Sequence, residues 1–204
     1  LIKQLVARGM LEIHEETESR IPAYLGEKKE ISDLTDEQKN AIQKIFQAFD
    51  AKKPVLLHGV TASGKTEVYV HLIQQVLKQG KQILYLLPEI ALTTQLVQRL
   101  RHYFGEKVGV YHSRYGQNEQ VEVWSEIMEF ETGKEGRFQI VMGARSALFL
   151  PFSNLGLVIV DEEHDVSFKQ QDPAPRYNAR DAAVMLAHSS SVPVILGSAT
   201  PSIE

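Results

Sequence analysis

The sequence predicts an α/β protein built on an open, mostly parallel sheet with helices on both faces. Three observations predict it. From Thr35 onward, short apolar runs alternate with helical patterns, the rhythm of βα units. Several of the runs are almost continuously apolar, as strands covered on both faces are. The first run leads through a glycine-rich loop straight into a helical pattern. The expected strands are Val55–Leu57, Ile83–Leu87, Val108–Tyr111, Phe138–Met142, Leu157–Val160 and Val192–Leu196; the helical segments between them include Glu67–Gln79 and Ala91–Phe104. No internal repeat and no low-complexity tract interrupts the series.

Composition bounds the function. The 204 residues are 43% hydrophobic, 24% charged and 8% aromatic, with no cysteine. Those proportions exclude collagen-like, disordered and disulfide-stapled proteins. A chain of this length buries roughly 70% of its unfolded surface, enough for one sizeable core with an appendage. Without cysteine this segment has no thiol chemistry and no zinc finger, which fits a reducing compartment. No apolar run approaches the ~20 residues of a membrane span, and the N-terminus has no signal-peptide pattern; a cytoplasmic location is expected. The net charge of −4 argues against nucleic-acid binding by bulk charge. Any such contact must be local.

Residues 1–30 differ from the rest. Leu1, Ile2, Leu5 and Val6 share a helical face that stops at Gly9, and Leu11 and Ile13 alternate with Glu12 and His14 as a short strand would. Pro22 and the Glu27–Glu30 run read as a linker. The pattern fits a loose arm, or the last helix and wing hairpin of a domain that begins upstream. Opening on Leu1 and closing on Glu204 just after a motif-like run, the chain reads as a piece of a longer protein.

Two motifs carry chemistry. Gly59-Val60-Thr61-Ala62-Ser63-Gly64-Lys65-Thr66 fits G-x-x-x-x-G-K-[ST] between a strand and a helix, the context that marks a phosphate-binding loop. Glycines let backbone N–H groups curl around phosphate oxygens, and the helix after the loop points its positive end at the anion. Lys65 is expected to neutralise the β- and γ-phosphates of a bound nucleotide and the Thr66 hydroxyl to ligate magnesium. Gly59, Thr61, Ser63 and Gly64 complete the expected cradle. Asp161-Glu162-Glu163-His164 comes directly after Leu157–Val160, which puts acids at the carboxyl edge of the sheet, where α/β ligands bind. Asp161 is suited to hold magnesium, and Glu162 to orient and polarise an attacking water. The gap between the motifs has room for about three βα units of ~30 residues.

The phosphate loop, the Asp161–His164 box and Gly197-Ser198-Ala199-Thr200-Pro201 resemble motifs I, II and III of superfamily 2 helicases. Three further stretches resemble the primosomal replication-restart branch of that superfamily: 87–93, 143–149, and Phe168-Lys169-Gln170-Gln171 leading to Arg176-Tyr177-Asn178-Ala179-Arg180-Asp181. The resemblance runs densely from about 34 to 203. It implies a first RecA-like domain over 31–204 and makes 1–30 the tail of a truncated winged-helix domain plus linker, either poorly ordered or packed against the core. It places Gln38 where such helicases recognise adenine, although Thr35 to Gln38 is also a capping box. Thr93 and Arg145 become candidates for holding DNA phosphates without reading sequence. With Lys65, Asp161 and Glu162, His164 joins the catalytic group, linking nucleotide state to the DNA side through Ser198 to Thr200.

The stretch 166–180 holds Lys169, Arg176 and Arg180 against a single acid, Asp172. Phe168 and Tyr177 flank Pro173 and Pro175, which disfavour a regular helix. Cations and aromatics on an irregular loop suit single-stranded DNA, and the resemblance assigns this loop to coupling DNA contact with hydrolysis. Phe168, Lys169, Arg176 and Tyr177 are the candidates. Ala174 and Pro175 stand where the family often has tryptophan before the Arg-Tyr pair.

The implied protein is an ATP- and magnesium-dependent 3′ to 5′ DNA helicase acting at stalled forks. Its implied partners are forked and single-stranded DNA, primosome and helicase-loading proteins, and single-stranded DNA-binding protein. The second RecA-like domain, with its arginine fingers, and a cysteine-rich zinc module would lie outside this segment. Another superfamily 2 translocase, RecG-like or RNA-directed, and a non-catalytic P-loop scaffold are the alternatives.

Overall fold

A computed structural model describes residues 2–12, 24, 26–60, 63–92, 94–112, 116–130 and 137–201. Six strands form a single all-parallel sheet: β1 (Val55–His58), β2 (Gln82–Leu86), β3 (Val108–Tyr111), β4 (Ile140–Gly143), β5 (Leu155–Val160) and β6 (Val194–Ser198). Their order across the sheet is β1-β6-β5-β2-β4-β3. The helices are α1 (Ile2–Ala7), α2 (Asp36–Asp50), α3 (Lys65–Lys78), α4 (Thr94–Phe104), α5 (Gln117–Glu129) and α6 (Ala179–Ser189).

Alternation along the strands sends side chains to two cores. Ile83, Tyr85, Ile140, Met142, Leu157, Ile159 and Ile195 face α2, α3 and α4. Leu84, Leu86, Val141, Val158, Val160 and Val194 face α5 and α6. Both faces are therefore covered, which is why these strands read as unbroken apolar runs rather than alternating ones. The buried Gln82 is satisfied: its Nε2 donates to the Ile127 carbonyl at 3.3 Å, and its Oε1 accepts from the N–H groups of Ser153 and Asn154.

All six expected strands form, β3 with the expected bounds and the other five with shifted ends. β4 and β6 begin two residues later than their apolar runs, and β6 continues through Gly197 and Ser198 because β1 pairs with both (Leu57 with Gly197, His58 with Ser198). α4 starts at Thr94 instead of Ala91, because the N–H groups of Ala91 and Leu92 both bond the Pro88 carbonyl in a turn. The capping box at α2 has both arms. Thr35 Oγ1 accepts the Gln38 N–H at 3.3 Å, and Gln38 Oε1 accepts the Thr35 N–H at 2.9 Å.

At the N-terminal side, α1 is present and its Gly9 takes a left-handed backbone (φ 67°). The expected strand at Leu11 to His14 and the linker around Pro22 fall mostly outside the described residues. Tyr24 and Lys29 both contact α4: the Lys29 N–H donates to the His102 carbonyl at 2.7 Å, and the Tyr24 ring meets the His102 ring edge-on at 6.2 Å. No helix among the described residues is long and apolar enough to cross a membrane.

Ile159 is fully buried in the central strand β5, so Ile159→Ala is expected to cost about 2–5 kcal/mol. Thr35→Ala, which removes one arm of the cap, is expected to cost about 1 kcal/mol. Urea unfolding monitored by circular dichroism checks both.

Candidate nucleotide-binding cleft

The strand order creates the cleft. The loop after β1 and the acids after β5 are separated only by β6, so all three strand ends meet at one edge of the sheet. There the Gly59 N–H donates to the Ser198 carbonyl and the Glu163 N–H to the Gly197 carbonyl, both at 3.0 Å. Between loop and acids lies a cleft of about 510 Å³ lined by Ser63, Gly64, Lys65, Thr66, Asp161 and Glu162, with Gln38, Glu67 and Arg99 at its sides. Residues about a hundred positions apart in sequence thus face one space, as the spacing of the two motifs predicts.

The loop turns into α3 at Gly64, whose left-handed φ of 84° suits glycine. A Cβ there would also collide with the Gln38 amide. That amide has two partners already: Oε1 closes the α2 cap, and Nε2 donates to the Gly64 carbonyl at 3.3 Å. Lys65 Nζ donates to the Gly59 carbonyl at 2.6 Å, folded over the loop it belongs to. Thr61 lies outside the described residues.

Asp161 is 9% exposed and accepts three hydrogen bonds. Tyr69 Oη donates to Oδ1 and Tyr85 Oη to Oδ2, each at 3.1 Å, and the Glu162 N–H donates to Oδ1 at 3.1 Å. Burial raises both phenols well above the ordinary tyrosine range, and the Asp161 charge beside them adds to it; they remain neutral donors. Glu162 has a left-handed backbone, φ 51°, a conformation that costs a residue with a side chain about 1–3 kcal/mol and gathers at functional sites. His164 Nδ1 lies 2.8 Å from Ser198 Oγ, which also accepts the Thr200 N–H at 3.1 Å. The same nitrogen stands 3.8 Å from the Glu162 carboxylate.

The donor set fits magnesium bound with a nucleotide. A hydroxyl (Thr66) and a carboxylate (Asp161) are hard oxygen ligands of the kind Mg²⁺ takes one or two at a time, the rest coming from phosphates and water. Among the described residues no group of three or more His, Cys, Asp or Glu side chains forms a complete metal cage.

Residues 35–204 match the DEAD/DEAH box helicase family. The chain belongs to that family. It is 44% identical over its whole length to the replication restart protein PriA of Bacillus subtilis, covering 25% of that protein. It is 50% identical over 73% of its length to PriA of Haemophilus influenzae, covering 20% of that one. The chain thus spans a quarter or less of these relatives. Among solved structures, a hypothetical ATP-dependent RNA helicase from Sulfolobus tokodaii superposes with a TM-score of 0.54 at 22% identity, over 83% of this chain and 47% of that one. This likeness shows the RecA-like helicase fold.

Four of the other candidate residues, Arg145, Lys169, Arg176 and Tyr177, lie on or against the loop 169–178, which an antiparallel bridge between Lys169 and Asn178 closes. Arg145, on the 3₁₀ turn after β4, donates from Nη1 to the Lys169 carbonyl at 3.1 Å. Lys169 and Arg176 are exposed, and Tyr177 is half-buried. Thr93 lies outside the described residues. Phe168 differs from expectation. It is 1% exposed and packed in the α5/α6-side core, so it is no platform for a base. The reason is local: Asp165 caps the turn Val166–Phe168 by accepting the Ser167 N–H at 2.7 Å, and the turn points the ring inward. The aromatic that the sequence reading missed is Phe149, 62% exposed and edge-on to Tyr177 at 5.3 Å. Tyr69, Tyr85 and the Arg99–Glu67 ion pair at the cleft were missed as well. Tyr69 falls one turn after Lys65 on the same helix face, but its partner Asp161 lies 92 residues away, so spacing alone does not single it out.

Behind the loop, Arg180 Nη1 bonds Glu163 Oε2 at 3.2 Å, with both side chains largely buried, joining the start of α6 to the acidic box. Removing one partner of such a pair costs about 3–5 kcal/mol. Arg180→Ala is therefore expected to lower stability toward the smaller end of that range, since Arg180 keeps some exposure. Glu163→Gln, which removes the buried charge, is expected to cost less; parallel urea titrations distinguish the two.

Proposed function

We propose that this chain is the ATP-binding half of the motor of a PriA-type 3′ to 5′ DNA helicase, whose complete form opens duplex at stalled forks and helps reload the replication machinery. The observation that carries this reading is the single cleft shared by Lys65, Thr66, Asp161 and Glu162, in a domain 44% identical to a replication restart protein. In this reading 31–204 is the first RecA-like domain and 1–30 the end of a winged-helix domain with its linker. The substrate is forked and single-stranded DNA, the location is the cytoplasm, and primosome, helicase-loading and single-stranded DNA-binding proteins are the partners. Zinc belongs to another part of the full-length protein.

The chemistry asked of these residues is positioning and charge stabilisation. The backbone N–H groups at the start of α3 and the Lys65 ammonium bind the β- and γ-phosphates; the ammonium has three donors, of which the Gly59 carbonyl takes one. Thr66 and Asp161 hold magnesium, which neutralises charge on the phosphate oxygens when bound. Glu162 accepts a hydrogen bond from the attacking water and orients it in line with the γ-phosphorus. His164 and Ser198, 2.8 Å apart, pass the state of that carboxylate to β6. On the other side of the acidic box, Arg145, Lys169, Arg176 and Tyr177 hold single-stranded DNA.

In the full-length protein, Glu162→Gln is expected to abolish DNA-stimulated ATP hydrolysis while nucleotide still binds. Lys65→Ala is expected to weaken nucleotide binding itself by tenfold or more, on the order of the charge-assisted bonds it removes. A phosphate-release assay paired with fluorescent-nucleotide titration reads both. The 204-residue chain alone, without arginine fingers from a second domain, is expected to hydrolyse ATP about 10³-fold more slowly than the full protein or worse. Robust DNA-stimulated turnover by the isolated chain would refute that.

A further inference from the structure

Two tyrosines from different elements, α3 and β2, converge on one carboxylate. Tyr69 and Tyr85 are both fully buried, their rings meet edge-on at 5.7 Å, and their hydroxyls end on the two oxygens of Asp161. Packing alone does not ask for this. Phenylalanine fills the same space, and a buried tyrosine hydroxyl is retained where it has a partner. A carboxylate offers about four acceptor positions. The two phenols and the Glu162 N–H take three of them, two on Oδ1 and one on Oδ2, so one position on Oδ2 is left to the cleft that Asp161 lines. The geometry also uses an absence of atoms. A Cβ at Gly197 would overlap the Tyr69 hydroxyl and stand 2.7 Å from Asp161 Oδ1.

We propose that Tyr69 and Tyr85 are positioning residues of the metal site: their hydroxyls lock the Asp161 carboxylate in the orientation that receives nucleotide-bound magnesium, and Gly197 keeps the space that lets Tyr69 reach it. The inference rests on the reading of Asp161 as a magnesium holder. Phosphate binding by the loop does not depend on the two hydroxyls; the contribution of the metal does. The tyrosine helix also begins at Lys65, so α3 connects the cation on the phosphates with the acid on the metal through a single turn of helix.

The test is the affinity of the full-length protein for a fluorescent ADP analogue, measured with excess magnesium and again with EDTA. The ratio of the two is the metal-dependent gain. Tyr69→Phe and Tyr85→Phe are each expected to reduce that gain about tenfold, the worth of one hydrogen bond to a charged group, and to leave the EDTA affinity within about twofold. Asp161→Asn separates the proposal from the reading beneath it. If Asp161→Asn keeps the full gain, the magnesium role of Asp161 fails and the positioning role with it. If Asp161→Asn loses the gain while both phenylalanine variants retain it, the positioning role alone is overturned. Equal losses with and without magnesium would make the hydroxyls supports of the fold only, and would also overturn it. If Tyr69→Phe does not fold, Tyr85→Phe and Gly197→Ala carry the test; Gly197→Ala is expected to show the same metal-selective loss, and an undiminished gain in both would sink the proposal.

Discussion

A carboxylate sunk at the end of a β-strand is stable only when donors surround it, and the donors around Asp161 come from three places in the fold. One hydroxyl arrives from α3, one from β2, and one N–H from the next residue. That requirement fixes more than a side chain. It ties the helix that carries the phosphate loop to the strand that carries the acids, across a sheet in which β1 and β5 are not neighbours. It also keeps the end of β6 free of side-chain bulk at Gly197.

The placement of β6 between β1 and β5 does the rest. Because its last residues pair with the strand of the phosphate loop and accept from the acidic box, Ser198 sits within hydrogen-bond reach of His164. A change at the acids therefore has a short polar route to the strand beside the phosphate loop. The buried Arg180–Glu163 pair gives the acidic box a second rigid attachment, to α6 and the loop before it. Two discrete connections leave one small cluster of acids.

Much of this was legible in the chain itself. Six apolar runs named six strands: at the centre of the sheet burial on both faces leaves no room for polar alternation, while the edge strand β1 leaves Leu56 exposed. Glycines and a lysine between strand and helix marked the loop that lines the cleft. Strand ends were not legible, since an apolar run marks burial and not hydrogen bonding. β6 runs past its apolar residues into Gly197 and Ser198 because its neighbours supply partners there. Phe168 misled for a related reason. Its position among cations and prolines describes the loop, while the capped turn just before the loop decides where the ring goes. Tyr69 and Tyr85 look like ordinary core residues in sequence because their partner lies 92 and 76 residues away. A contact between distant segments leaves no local pattern to read.

Gln38 has one further consequence. Both halves of its amide are occupied, one by the start of α2 and one by the carbonyl of Gly64. Each half still has one position to offer, a second lone pair on Oε1 and a second hydrogen on Nε2. A purine base that took this amide in two-point pairing would meet a group already aimed by a helix terminus and a loop carbonyl. Base selectivity at this position would then come from an orientation set before the ring arrives.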